Sequence, residues 1–129
     1  MKQLTKPQEQ IMNVLWAIQK GFIKDIIDQL PPPKPAYNTV STVIRVLEKK
    51  GYVGHTQYGN TYEYFPLVDQ KDYGSFYLND FLKSHFGGSF QKLLSFFANE
   101  NNLSSQQVDE MIDYIEKNLK PKSNDDKPA

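Results

Sequence analysis

The chain has 129 residues, 15 basic and 15 acidic side chains, 39% hydrophobic residues and no cysteine. Such a length and composition describe one ordinary domain, or a small domain with an oligomerising extension, rather than a disordered or fibrous chain. A formal net charge of zero argues against a uniformly basic nucleic-acid binder, and the lack of cysteine excludes a disulfide framework, a thiol nucleophile and any thiolate metal site. No apolar run approaches the ~18 residues of a membrane span. Met1 to Pro7 show no apolar signal region, so the expected location is cytoplasmic.

The charge is unevenly spread. Residues 1–66 carry eight cations against five acids, and residues 67–129 carry seven against ten, giving +3 and −3. The pattern suggests a basic working end and an acidic second end.

Taken in chain order, residues 5–20 form the first expected helix. Ile11, Val14, Leu15 and Ile18 follow the i, i+3, i+4, i+7 spacing, Met12 and Trp16 broaden the stripe, and Thr5 with Gln8 forms a capping box. Gly21 ends this helix and Phe22 reads as a short strand. A short second helix is marked by Ile23, Ile26, Ile27 and Leu30. Pro31-Pro32-Pro33-Lys34-Pro35 cannot continue it, because each proline ring fixes φ and removes a donor. The segment is a stiff connector that aims the next helix, or a simple loop.

A third helix is expected from Thr39 to Lys50, with Asn38 as N-cap and Gly51 as stop. Its stripe is Val40, Val43, Ile44 and Leu47, which leaves Ser41, Thr42, Arg45 and Lys49 on the other face. Residues 52–57 and 61–65 are rich in β-branched and aromatic residues around Tyr58-Gly59-Asn60, a β-hairpin pattern. The helical period then returns over Tyr73 to Phe86, is broken by Gly87-Gly88, and resumes over Phe90 to Ala98. A last helix is expected from about Ser104 to Asn118, capped by Ser104 or Ser105, with Val108, Met111, Ile112, Ile115 and Leu119 as its stripe. Pro121 to Ala129 reads as a disordered tail.

Three short helices followed by a hairpin is the order of a winged helix-turn-helix. The fold class is therefore mainly α with a small β-wing: a winged-helix domain over residues 1–66, a helical dimerisation region over 67–120, and the tail. The third helix suits a DNA major groove, because Ser, Thr and Asn can contact phosphates or base edges and Arg can chelate guanine. Asn38, Thr39, Ser41, Thr42, Arg45 and Lys49 are its candidate DNA contacts. Lys34 and Tyr37, with His55, Gln57, Tyr58 and Asn60 of the wing, are candidate backbone contacts. Element order alone leaves a protein-interaction winged helix open as the alternative, with the tyrosine-rich hairpin binding a partner chain.

Residues 67–120 are too few to bury their many aromatics alone, so a homodimer paired through Phe76, Phe81, Phe86, Phe90, Leu94, Phe97, Met111, Ile112 and Ile115 is expected. The alternative is that these helices pack back on the winged domain. His55 and His85 lie in different elements and make no metal site, and Asp69, Asp72 and Asp80 read as a solvated helix face. No nucleophile–base pair emerges from spacing. Neither catalysis nor a cofactor is expected.

The run Ala36 to Gly51 resembles the recognition-helix signature of the penicillinase repressor (BlaI/MecI/CopY) family. Leu4-Thr5 with Glu9 to Trp16 resembles the family's first helix, and Gly87 to Phe90 with Leu93 to Ala98 resembles its C-terminal segment. The resemblance implies a homodimeric repressor bound to a palindromic operator, and, for several members, release through cleavage by a membrane sensor metallopeptidase encoded nearby. Three positions depart from the pattern. The family's Arg one turn before the Gly is Val46 here, with Arg45 one step earlier, and one step turns a helical side chain by about 100°. The family's Asn-Phe cleavage position aligns with Phe96-Phe97, which argues against proteolytic release there. The cysteine motif of copper-responsive relatives is missing.

Overall fold

A computed structural model describes residues 1–118; the expected tail and Leu119 lie outside them. Six helices and one hairpin follow in order: α1 (Lys6–Ile18), α2 (Ile23–Gln29), α3 (Tyr37–Lys49), β1 (Val53–Tyr58), β2 (Thr61–Pro66), α4 (Gln70–Phe86), α5 (Phe90–Glu100) and α6 (Ser105–Asn118). Two compact units result, Met1–Asp80 and the residues from Phe81 onward. The first thus takes in residues 67–80 beyond the expected boundary at Pro66.

The first unit is built on three apolar stripes that meet. Ile11, Met12 and Leu15 of α1, Ile23 and Ile26 of α2, and Val40, Ile44 and Leu47 of α3 form one buried cluster with Tyr52, Val53, Tyr64 and Tyr73. Thr5 and Gln8 form the expected capping box: the Gln8 backbone N–H donates to Thr5 Oγ1 (3.4 Å) and the Thr5 N–H donates to Gln8 Oε1 (3.0 Å). That same Gln8 oxygen accepts from Lys50 Nζ at 3.0 Å, so the start of α1 is tied to the end of α3.

The end of α3 fixes the start of the wing. Gly51 takes φ +83°, its N–H donates to Glu48 O (3.0 Å), and the Tyr52 N–H reaches back to Leu47 O (3.0 Å). This is a Schellman motif, with glycine where the left-handed residue must stand and an apolar side chain buried just after it. β1 and β2 then pair antiparallel from Val53↔Pro66 to Tyr58↔Thr61, around a two-residue Gly59-Asn60 turn in which Gly59 has φ +61°. The hairpin is anchored by paired backbone bonds between Gly21 and Tyr64 (2.9 and 2.8 Å). The isolated strand contact thus falls at Gly21, one residue before the Phe22 strand expected from the sequence.

One further expectation is corrected, and one candidate contact also has a role within the fold. Asn38 is not the N-cap of α3. The helix starts at Tyr37 after an extended Ala36, with no side-chain cap, and Asn38 sits in its first turn. Lys34, a candidate phosphate contact, donates to three carbonyls at the end of α2: Ile27 O (3.2 Å), Asp28 O (3.0 Å) and Leu30 O. An ammonium has three N–H donors and a helix C-terminus leaves its last carbonyls open, so the cation satisfies that end and its dipole.

The first half of α4 belongs to this core. Tyr73 is buried, its hydroxyl accepts from the Leu4 N–H (3.1 Å), and its ring meets Tyr52 edge-on at 5.8 Å. Trp16 Nε1 donates to Val68 O at 2.8 Å. Phe76, expected on a pairing face, packs against the same cluster. Burial also pushes the Tyr73 phenol above its ordinary value, so it stays neutral.

In the second unit Gly87 and Gly88 take positive φ after α4, and Ser89 Oγ caps α5 by accepting from the Lys92 N–H (3.1 Å). Ser104 caps α6 in a reciprocal box with Gln107. Phe86 packs against Phe96 with ring centroids 5.6 Å apart. Among the described residues from Phe81 onward, only Leu82 is a buried hydrophobic side chain.

Tyr73→Phe leaves the Leu4 N–H without its partner and is expected to lower unfolding stability by about 1–3 kcal/mol in urea titration. Lys34→Met keeps the aliphatic stem but loses the cap, and a loss of about 0.5–1 kcal/mol is expected in the same measurement.

Candidate nucleic-acid interface

Burial of Val40, Ile44 and Leu47 turns the opposite side of α3 outward. Asn38, Thr39, Thr42, Arg45 and Lys49 are exposed, and Ser41 is half-buried. Thr42 Oγ1 donates back to Asn38 O at 2.9 Å. Val46 lies on the same side, 37% exposed. Tyr37 at the helix start is 58% exposed.

Glu48 is the one acid of α3, and it pairs with His55 Nδ1 across the junction with β1. The His55 ring also lies 4.5 Å from Tyr62 and 5.9 Å from Tyr64, centroid to centroid. His55, expected among the wing contacts, is therefore engaged through one ring nitrogen in bracing the wing against α3. The tip is braced too. Gln57 Nε2 donates to Gly59 O (3.0 Å) and Thr61 Oγ1 to Tyr58 O (2.8 Å). Tyr58, 54% exposed, meets Phe22 edge-on at 6.0 Å, and Asn60 stands exposed in the turn.

Between α3, the start of α2 and the hairpin lies an open cleft of about 510 Å³. Its lining brings together Tyr37, Asn38, Ser41 and Arg45 from α3 with Asn60 from the hairpin, five of the residues singled out in the sequence. Phe22, Lys24, Tyr62 and Tyr64 are among its other wall residues, and sequence reasoning missed them. Their only signal was position, at the start of a short helix and on the second strand. Burial, with Glu48 nearby, raises the Tyr64 phenol above its ordinary value, so it remains an O–H at the cleft. Lys34 and Lys49 do not line the cleft.

Among the described residues no cluster of three or more His, Asp or Glu could hold a metal. No helix there is long and apolar enough to cross a membrane.

Comparison with known proteins agrees with the resemblance. The family model described as "Penicillinase repressor" matches residues 4–117. The methicillin resistance regulatory protein MecI of Staphylococcus aureus (strain N315) is 22% identical over 116 residues, 89% of this chain and 94% of MecI. The penicillinase repressor of Bacillus licheniformis is 24% identical over 115 residues, 88% and 90% of the two chains. A solution structure of the DNA binding domain of the repressor BlaI aligns with 55% of this chain and 88% of that one, at 26% identity and a TM-score of 0.49. With a family model spanning nearly its whole described length, the chain belongs to the penicillinase repressor family, a family of transcriptional repressors and not of enzymes.

Proposed function

We propose that the protein is a cytoplasmic homodimeric repressor that reads a palindromic operator with α3 of each copy. The observation that carries this reading is the outward face of α3. It is polar, its one acid is paired with His55, and it stands beside a braced wing. Asn38, Thr39, Ser41, Thr42 and Arg45 face the major groove, whose width admits a helix. Lys49, Tyr37, Gln57, Tyr58 and Asn60 contact the sugar–phosphate backbone, which positions the protein without reading sequence. Lys34, exposed at the end of α2 that it closes, is a further candidate backbone contact.

The zero net charge fits once it is divided along the chain, since only the basic half touches DNA. Two such halves, held about one helical turn or a multiple of it apart, engage two half-sites. Pairing would use the second unit. Phe81, Phe90, Phe97, Met111, Ile112 and Ile115 are exposed there, with Phe90 at 53% and Phe97 at 48%, and Phe86 and Leu94 are half-buried. Apolar side chains this dense on a small unit are relieved by a two-fold partner. A membrane sensor metallopeptidase remains the partner that the family resemblance suggests for release. Phe96-Phe97 at the aligned cleavage position points to a different site or signal.

Gel shift and anisotropy against the protein's own upstream region test the DNA reading. Arg45→Ala should weaken specific binding by about 1–3 kcal/mol and relax one base position, and wild-type affinity should fall steeply with salt. Wild-type operator affinity in that variant removes Arg45 from the groove, and no shift at low salt favours a protein-interaction module. Sedimentation at micromolar concentration should give the mass of two chains, and Phe97→Asp should drive it toward one. A wild-type mass near one chain refutes the dimer.

A further inference from the structure

The cleft between α3 and the wing has a chemistry that reading DNA does not require. Its volume, about 510 Å³, falls in the range of small-molecule sites. Aromatic side chains wall it on three sides: Phe22 before α2, Tyr37 on α3, and Tyr62 and Tyr64 on β2. Two cations, Lys24 and Arg45, stand at its rim, and neither has an ion-pair partner among the described residues. The one carboxylate in the lining, Asp25, accepts the Phe22 N–H at 2.9 Å through one oxygen, so the lining holds two cations against one acid. Aromatic walls, with two cations against one carboxylate, suit a planar ligand with a negative group.

We propose that this cleft binds a small aromatic carboxylate, and that its occupation excludes operator DNA. The exclusion rests on the DNA reading above, because Asn38, Ser41 and Arg45 line the cleft and also face the groove. A ligand held there and a duplex would compete for the same atoms, so each weakens the other's binding equally. The site would give the repressor a release signal that needs no proteolysis.

The test is titration of the full-length protein with 2-naphthoate, monitored by backbone amide shifts. Cyclohexanecarboxylate (charge without a flat ring) and inorganic phosphate (charge alone) serve as comparisons. Shifts concentrated at Phe22, Lys24, Ser41 and Thr61 are expected with 2-naphthoate and much weaker with the other two. Lys24→Gln should weaken 2-naphthoate by about tenfold, the scale of one charge-assisted hydrogen bond. In anisotropy, the apparent Kd for operator should rise in proportion to 2-naphthoate. Shifts elsewhere, none at all, or equal shifts with phosphate overturn the site, and an operator Kd that ignores bound 2-naphthoate overturns the exclusion. A protein that binds operator but leaves the cleft unperturbed keeps the DNA reading and loses this site. One that fills the cleft but binds no operator does the reverse.

Discussion

The candidate reading surface depends on one buried row, Val40, Ile44 and Leu47, which locks α3 against Ile11, Met12, Leu15 and Ile26. Burying apolar residues three and four apart fixes the rotation of a helix about its own axis. Arg45 and Ser41 therefore face outward because their neighbours cannot. A helix free to roll would spread these contacts over many angles and specify none. The packing is what converts a short amphipathic sequence into an oriented row of polar groups.

The supporting contacts work on the same variable. Lys50 reaches Gln8 Oε1, which couples the end of α3 to the cap of α1. Glu48 and His55 tie the same end of α3 to the wing. Lys34 closes α2, whose start forms one wall of the cleft. None of these polar pairs is worth much alone at a partly exposed position. Together they set the angles between α2, α3 and the hairpin, the geometry on which groove recognition depends.

Much of this was legible in the sequence. The periods of α1 and α3, the Thr5–Gln8 box, the Gly51 stop and the hairpin are local patterns, and local patterns survive the absence of coordinates. What escaped was tertiary. Asn38 is a good cap by residue type, yet the chain enters the helix at Tyr37 without one. A lysine after a proline run looks free until the folded chain brings its ammonium to three carbonyls. Phe76 shares its aromatic character with the side chains around it, and only the fold assigns it to the first core through Tyr73. In the candidate interface, the residues of α3 were readable from their face. Phe22, Lys24, Tyr62 and Tyr64 were not, because their role comes from elements that meet only in three dimensions.

The Schellman closure at Gly51 also constrains how the chain can vary in length. Tyr52 is locked to Leu47 across the glycine, and Val53 directly after it opens the β ladder. No slack residue lies between helix and strand. One insertion there would shift the strand's side chains to opposite faces, placing His55 away from Glu48 and Val53 away from the core. The Gly59-Asn60 end is exposed and makes no core contact, so added residues there would lengthen the hairpin while preserving its root. Wings of different reach can therefore arise at the tip while the root stays fixed in length.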